Sequence, residues 1–146
     1  MSLIFAGGRG FGHETIYARA DESPARDRIT FMTGLSSAQL IALYKKALFT
    51  VYPSVFEGFG LPIVEAFALG SPLITSNIGA MAEVAGDAAL TANPYSVDDL
   101  TAALDTLASS ADLRTALSEK GKKRAGTFSW QTAAAATRDV YKELQD

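Results

Sequence analysis

The sequence contains no cysteine and a single histidine, His13, among its 146 residues. Without cysteine the chain has neither a disulfide framework nor a thiolate zinc site, and one histidine cannot supply a histidine-based metal cluster. No apolar run approaches the roughly 18–20 uncharged residues that a membrane-spanning helix needs. These absences predict a soluble protein of a reducing compartment, which we take to be the cytoplasm.

An excess of positive charge is also missing. The chain has 13 Lys and Arg against 16 Asp and Glu, a net charge of −3. Its basic runs, Lys45-Lys46 and residues 120–124, are short enough to be solvated helix faces, so we expect no nucleic-acid partner. With 48 % hydrophobic residues the chain can bury a core, and its length predicts one domain over residues 1–146.

Short apolar runs alternate with helical patterns along the first two thirds of the chain. The runs are bounded by Gly, Pro, Asn or Ser and cover residues 3–6, 29–32, 48–52, 72–75 and 88–91. Runs of this kind are typical of buried parallel strands. One intervening helix is predicted from Pro62, a residue favoured in the first helical turn, to Leu69, just before Gly70. The alternation predicts an α/β fold, a doubly wound, Rossmann-like parallel sheet of about five strands with helices on both faces.

The last third of the chain is predicted to be helical. Ser96 and Ser109 each stand three residues before an aspartate, in a variant of the capping box that begins a helix. A final helix is expected to begin near Ser129, and Trp130 and Tyr141 share its apolar face. We interpret these two aromatic residues as packing residues rather than as a stacking platform for a ligand.

The stretch from Tyr52 to Glu65 leaves a strand, turns through two glycines and enters a helix. The free N–H groups and the positive dipole end of a helix beyond the carboxyl ends of parallel strands favour an anion such as phosphate. Glu57 and Glu65 flank this position, and a carboxylate accepts hydrogen bonds from paired hydroxyls, as on a ribose or a hexose. The plainer alternative is that the glycines only turn the chain and that Glu65 only complements the helix dipole.

Four segments in order carry a resemblance to a known family. Residues 57–65 match the E-x7-E motif in its EGFGLP form, and they are followed by SPLITSN at 71–77, EVAGDAA at 83–89 and FSW at 128–130. Together they resemble the C-terminal, donor-binding domain of family 4 retaining glycosyltransferases of GT-B architecture, in particular mannosyltransferases. Members of that family carry an upstream strand with an Arg and a Lys, and an N-terminal acceptor domain. This chain contains neither, so we expect it to be part of a larger enzyme.

The resemblance assigns roles to individual residues of this chain. It implies that Glu57 lies beside the transferred sugar, as the catalytic candidate, and that Glu65 binds the ribose hydroxyls of a nucleotide sugar. Backbone N–H groups would face the sugar hydroxyls and the diphosphate, and they belong to Gly58, Phe59, Gly60 and Leu61. The base would pack against Met32, Thr33 and Gly34, and close approach of the same ligand would be allowed by Gly7 and Gly8.

The implied reaction is the transfer of a hexose, with retention of configuration, from a nucleoside-diphosphate sugar to a hydroxyl of a glycan or lipid-linked acceptor. GDP-mannose is the first expectation for the donor and UDP-glucose the second. No cofactor or metal is expected, because the helix terminus can stabilise the leaving diphosphate. The acceptor would be bound through the N-terminal domain, with the parent enzyme at the inner face of the membrane and active in polysaccharide biosynthesis.

Two alternatives belong to other functional classes. The chain could be a catalytically inert nucleotide-binding fragment, since transfer in this architecture takes place in a cleft between two domains. It could also be an NAD-type Rossmann oxidoreductase domain, because Gly8 and Gly10 follow a strand. The dinucleotide fingerprint, however, requires glycine where His13 stands, and no acidic residue ends the next strand.

The absence of the family's first strand leads to a prediction about assembly. In the doubly wound order 3-2-1-4-5-6, that strand would lie between the runs at residues 3–6 and 48–52. Either these two runs pair directly with each other, or both keep open edges that another chain must cover. We therefore expect possible self-association, through a sheet edge or through the helix that contains Trp130.

Overall fold

The structure is a computed structural model that describes residues 1–10 and 12–144. The chain divides into two compact units, residues 1–43 and residues 44–146, and each is considered by itself. The single domain expected over residues 1–146 stays a prediction. Among the described residues, no helix has both the length and the apolar character that crossing a membrane requires.

The first unit is built on two parallel strands. Its elements in chain order are β1 (Leu3–Ala6), α1 (His13–Asp21), a single 3-10 turn (Arg26–Arg28), β2 (Ile29–Met32) and the start of α2 (Ser37–Lys46), which continues into the second unit. In the β1–β2 pair Leu3 lies opposite Ile29 and Ala6 opposite Met32. Both strands coincide with the predicted runs at 3–6 and 29–32.

An aromatic stack holds α1 onto this pair of strands. The ring of Phe31 stacks on Phe5 with centroids 4.8 Å apart and on Tyr17 of α1 with centroids 4.0 Å apart. Only Ala20 is buried among the described residues of this unit. The first unit by itself therefore has a small core.

The second unit combines three parallel strands with helices. Its further elements are β3 (Thr50–Tyr52), α3 (Leu61–Ala68), β4 (Leu73–Ser76), α4 (Gly79–Ala85), β5 (Leu90–Ala92), α5 (Val97–Ser109), α6 (Ala111–Ala125) and α7 (Trp130–Glu143). The strand order is β3-β4-β5, so β4 is the central strand. Every residue of β4 is buried, as expected for a strand that is covered on both faces.

Two hydrophobic clusters lie on the two faces of β4. Leu73 belongs to one cluster and the next residue, Ile74, to the other, because successive side chains of a strand point to opposite faces. The cluster around Leu73 contains Phe67 of α3, and the cluster around Ile74 contains Leu107 of α5. Helices therefore cover both faces of this sheet, as the doubly wound prediction requires.

The α/β class and the parallel strands are confirmed, but the prediction of one sheet of about five strands is wrong. The five strands form two sheets, of two and three strands. The strand at 3–6 pairs with β2, and the strand at 50–52 pairs with β4. Direct pairing of these two strands, the first of the two alternatives, is not found among the described residues.

The predicted helix caps are confirmed with one correction. Ser96 accepts a hydrogen bond from the Asp99 N–H at 3.1 Å and begins α5, and Ser129 begins α7 in the same manner. The cap of α6 is Ser110, which accepts from the Leu113 N–H, so the assignment of this cap to Ser109 was wrong. Ser109 is still the last residue of α5.

The aromatic residues of α7 find no packing partner in the part of their unit that the structure describes, so their packing role stays a prediction. Trp130 is 77 % exposed and Tyr141 is 66 % exposed. The helix has no buried residue, because no part of its unit that the structure describes covers its apolar stripe.

Candidate functional site

The loop between β3 and α3 runs from the carboxyl end of a strand to the N-terminus of a helix. Gly60, the residue before α3, is buried and has φ +96°, and a Cβ there would lie 3.2 Å from Cδ1 of Ile63. A left-handed conformation with so little space favours glycine. The Ile63 N–H donates to the Gly60 carbonyl at 2.9 Å, while Pro62 has no N–H to donate.

The start of α3 has the properties of an anion site. No side chain caps this helix, and within the described residues the loop N–H groups have no acceptor. These N–H groups belong to Gly58, Phe59, Gly60 and Leu61. Since the dipole adds partial positive charge, the helix terminus can accept an anionic group.

Glu57 lies in this loop, half-buried, and is held through one carboxylate oxygen. Its Oε1 accepts a hydrogen bond from the Tyr52 hydroxyl at 2.6 Å and another from the Ser54 hydroxyl at 3.1 Å. Oε2 accepts from no donor in the part of the chain that the structure describes. Both donors therefore fix the carboxylate and leave its second oxygen available.

Glu65 lies in α3 and is exposed. Its Oε2 accepts a hydrogen bond from the hydroxyl of Tyr44, in α2, at 3.1 Å. Over residues 1–10 and 12–144, no protein group donates to Oε1 of Glu65. Each of the two carboxylates thus has one oxygen bound by a tyrosine and one oxygen open to a ligand.

The two tyrosines and the two glutamates form one electrostatic group, which we call the Tyr–Glu cluster (Tyr44, Tyr52, Glu57 and Glu65). Burial, and then the hydrogen bond to Glu57, raise the pKa of Tyr52 to about 12. Burial, and then the negative charge of Glu65, raise the pKa of Tyr44 above its ordinary value. Both hydroxyls are therefore protonated at neutral pH and act as donors to the carboxylates.

The glycine loop is also tied to elements that follow it in the chain. The Ser76 hydroxyl donates to the backbone carbonyl of Ser54. The ring of Phe59 meets Phe128 edge to face, with centroids 5.6 Å apart and planes at 87°. The guanidinium of Arg124 lies over Phe128 and donates two hydrogen bonds to carbonyls at the end of α4. The FSW segment at 128–130 thus supports the loop through its phenylalanine.

The remaining predicted site residues lie in the first unit, at the carboxyl ends of β1 and β2. The Gly7 N–H donates to the Met32 carbonyl at 3.0 Å, and Gly34 has φ +66°. Gly7 and Gly8 line a cavity of about 190 Å³ that also has Tyr17 in its wall. The structure brings Gly7 and Met32 together, and separately it brings Glu57 and Glu65 into the Tyr–Glu cluster. That both groups bind one ligand stays a prediction.

Sequence reasoning missed Tyr44, Tyr52 and Ser54 as parts of the site. The sequence places Tyr52 at the end of a strand, and that placement is confirmed. The signal that could have found the tyrosines is their residue type. A partly buried tyrosine needs a hydrogen-bond partner for its hydroxyl, whereas a phenylalanine at the same position needs none.

Comparison with known proteins identifies similar sequences and folds. A family model described as glycosyl transferases group 1 matches residues 1–124. The chain is 34 % identical over 142 residues to O-antigen chain mannosyltransferase B of Escherichia coli, covering 97 % of this chain and 37 % of that protein. It is 41 % identical over 121 residues to the MMP alpha-(1->4)-mannosyltransferase of Mycolicibacterium hassiacum, covering 80 % of this chain and 29 % of that protein.

Solved structures match over nearly the whole chain. Sucrose-phosphate synthase of Thermosynechococcus elongatus superposes with a TM-score of 0.83 at 27 % identity, over 98 % of this chain and 38 % of that one. WaaG, a glycosyltransferase involved in lipopolysaccharide biosynthesis, has a TM-score of 0.79 at 22 % identity, over 95 % of this chain and 37 % of that one. The chain therefore spans about a third of the length of the proteins that it matches.

Proposed function

Because the chain belongs to the glycosyl transferases group 1 family and has the α/β fold of GT-B enzymes, we propose that it binds the nucleoside-diphosphate sugar donor of a hexosyl transfer. One observation carries this proposal. The N-terminus of α3 offers N–H groups without acceptors among the described residues, between two carboxylates that each keep one oxygen open. A ligand with an anionic centre and hydroxyl groups on both sides matches that arrangement.

In this proposal the N–H groups of residues 58–61 bind the diphosphate and Glu65 accepts from the ribose hydroxyls. Glu57 lies beside the sugar whose bond to the diphosphate breaks. The oxygen of the acceptor hydroxyl forms the new bond on the same face of the sugar, with retention of configuration, and its proton passes to the leaving diphosphate. The leaving diphosphate is stabilised by the helix terminus, so the proposed reaction needs no metal ion or other cofactor.

We propose GDP-mannose as the donor, with UDP-glucose second. The support for mannose is that two similar proteins are named as mannosyltransferases. The proposed base contacts are residues 32–34, with Gly7 and Gly8 beside the same ligand. Family membership removes the basis for the nicotinamide alternative.

The parts of the reaction outside the donor site are proposals of the same kind. The glycan or lipid-linked acceptor is bound by an N-terminal domain of the longer enzyme, which acts at the inner face of the membrane. The 146-residue chain by itself binds the donor and transfers nothing. Self-association is proposed through an open sheet edge or through the exposed face of α7.

Calorimetric titration of this chain with GDP, UDP, ADP and NAD tests the proposal. We expect a nucleoside diphosphate, GDP first, to bind in preference to NAD. Glu65→Ala weakens that binding by about 1–3 kcal/mol, the usual cost of removing a hydrogen-bond partner. Glu143→Ala, at an exposed glutamate of α7, is the matched control and leaves binding unchanged. Binding of NAD alone, or of no nucleotide, contradicts the proposal.

The role of Glu57 is tested in the longer enzyme. Glu57→Gln is expected to reduce turnover more than donor affinity, because Glu57 is placed next to the reacting sugar. Equal effects of Glu57→Gln and Glu65→Ala on both parameters argue that the two roles are misassigned. If a chelator abolishes activity and a divalent ion restores it, the metal-free reaction is wrong.

A further inference from the structure

Two tyrosines determine how the carboxylates of the proposed donor site are presented. We propose that Tyr44 and Tyr52 are positioning residues, which hold Glu65 and Glu57 so that one oxygen of each carboxylate faces the ligand. Tyr44 then supports binding of the nucleotide, while Tyr52 supports binding of the sugar. The proposal rests on the proposed function, since it takes the donor as the ligand of both glutamates.

Tyr52 holds Glu57 in a fixed position relative to the sheet. It is the last residue of β3, and it lies opposite Thr75 in the central strand β4. The Thr75 hydroxyl donates to the Tyr52 carbonyl at 2.8 Å, so both backbone and side-chain contacts fix this residue. Glu57 lies five residues later in a loop with two glycines, where its own backbone gives little orientation. The Tyr52 hydroxyl therefore links a loop carboxylate to a rigid strand.

Ser54 adds a second donor on the same oxygen of Glu57. Because Tyr52 and Ser54 both donate to Oε1, a rotation of the carboxylate breaks two hydrogen bonds at once. Oε2 is left as the oxygen that can accept from a sugar hydroxyl. The convergence of two donors on one oxygen fixes the plane of the carboxylate and thereby the direction of its second oxygen.

Tyr44 performs the corresponding role for Glu65 with one donor only. Its ring packs against the core cluster around Leu73, and its hydroxyl reaches Oε2 of Glu65. Glu65 is exposed and loses side-chain freedom when it binds a ligand, at a free-energy cost that prior ordering reduces. The ring satisfies packing without the hydroxyl, so removal of the hydroxyl alone separates positioning from packing.

Tyrosine-to-phenylalanine variants of this chain provide the experiment. Calorimetry compares GDP with GDP-mannose, or UDP with UDP-glucose if the native chain prefers uracil as the base. Tyr44→Phe is expected to lower the affinity for both ligands by the same factor, roughly three- to tenfold, which is the effect of one lost hydrogen bond. Tyr52→Phe and Ser54→Ala are expected to leave the affinity for the nucleoside diphosphate unchanged and to lower only the affinity for the nucleotide sugar.

Tyr95→Phe is the matched control, because Tyr95 is 73 % exposed and lies outside the Tyr–Glu cluster. It is expected to leave both affinities and the melting temperature unchanged. If Tyr52→Phe weakens both ligands to the same degree, Tyr52 has a structural role only and the proposal is overturned. The proposal is also overturned if native binding is strong and Tyr44→Phe matches the control.

A second measurement needs no ligand and separates this proposal from the proposed function. Tyrosinate absorbance is followed against pH in the native chain and in Glu65→Gln. Because the charge of Glu65 also raises the pKa of Tyr52, the same pair is measured in a Tyr44→Phe background, and the difference between the two pairs is the part that belongs to Tyr44. Removal of the Glu65 charge is expected to shift the titration of Tyr44 to lower pH, since that charge opposes formation of tyrosinate. No shift means that the contact is absent and overturns the role of Tyr44. If the shift occurs but no nucleotide binds, the contact stands and the proposed function fails.

Discussion

The strands β1 and β4 both begin with Leu-Ile and have opposite environments. Each residue of β1, LIFA, is exposed, while each residue of β4, LITS, is buried. In the second unit helices cover both faces of the sheet, whereas in the first unit only Ala20 is buried among the described residues. The comparison teaches that an apolar run predicts a strand, and that the number of covering layers decides how far it is buried.

The same difference affects the candidate site. The Tyr–Glu cluster rests on β3, which pairs with the buried strand β4, and on α3, where Ile63 and Phe67 are fully buried. The glycines at the ends of β1 and β2 rest on a pair of strands with little core of its own. We therefore expect the residues at 52–65 to be ordered before a ligand binds.

The largest expected effect is a core truncation in each unit. Phe67→Ala should lower the free energy of unfolding of the second unit by about 3–5 kcal/mol, because it removes a fully buried ring. Phe31→Ala should lower the free energy of unfolding of the first unit by a smaller amount, since Phe31 is only half-buried. Hydrogen exchange of amides in β4 and in β2, measured for both variants, reports each unit separately. Equal losses of protection from hydrogen exchange in the two units would contradict the predicted difference between them.

A smaller effect is expected when a methyl group is added in each unit. A Cβ at Gly121 would lie 2.7 Å from Cδ1 of Phe67, whereas one at Gly10 meets nothing within 4 Å. Overpacking costs about 1–3 kcal/mol, and the better helix propensity of alanine offsets about 1 kcal/mol of this in α6. Gly121→Ala should therefore destabilise the chain by about 1 kcal/mol in urea denaturation, and Gly10→Ala should not. A stabilised Gly121→Ala variant would show that the α3–α6 contact is looser than described.

Much of this architecture could be predicted from short segments. The strands at 3–6 and 29–32 were correct residue for residue, because glycine and polar residues mark their ends. The run at 48–52 was too long, since only Thr50–Tyr52 pair with β4 and apolar character alone did not exclude the two residues before them. The pairing of strands into two sheets depends on contacts distant in sequence, which local patterns do not contain.

The candidate site also contains residues that the sequence predicts and residues that only the structure reveals. Glu57, Glu65 and the loop glycines were predicted because the motif is local and its order along the chain is specific. Tyr44 lies 21 residues from Glu65, and its hydroxyl contact arises only when the chain is folded. No sequence pattern predicts a contact between two residues so far apart. The tyrosines could therefore be included in the site only from the structure.

The smallest expected effect is an alkaline loss of stability in the second unit. The pKa of Tyr52 is raised to about 12, so its contribution to stability is complete below the ordinary tyrosine pKa of 10.0. It is lost as pH rises from that value through about 12, because the unfolded chain releases its proton first. Chemical denaturation across this pH range should show a steeper decline for the native chain than for Tyr52→Phe. Identical slopes would contradict the raised pKa of Tyr52, which burial and then the hydrogen bond to Glu57 produce.

The central claim is that the glycine loop before α3 binds a nucleoside diphosphate. Amide NMR of the 146-residue chain, titrated with GDP and with UDP, tests it most directly. We predict that the largest shift changes belong to the amides of residues 58–61, that they saturate, and that Glu65→Ala moves saturation to higher nucleotide concentration. Changes confined to the basic run at residues 120–124, or the absence of saturable change at 58–61, would contradict the claim.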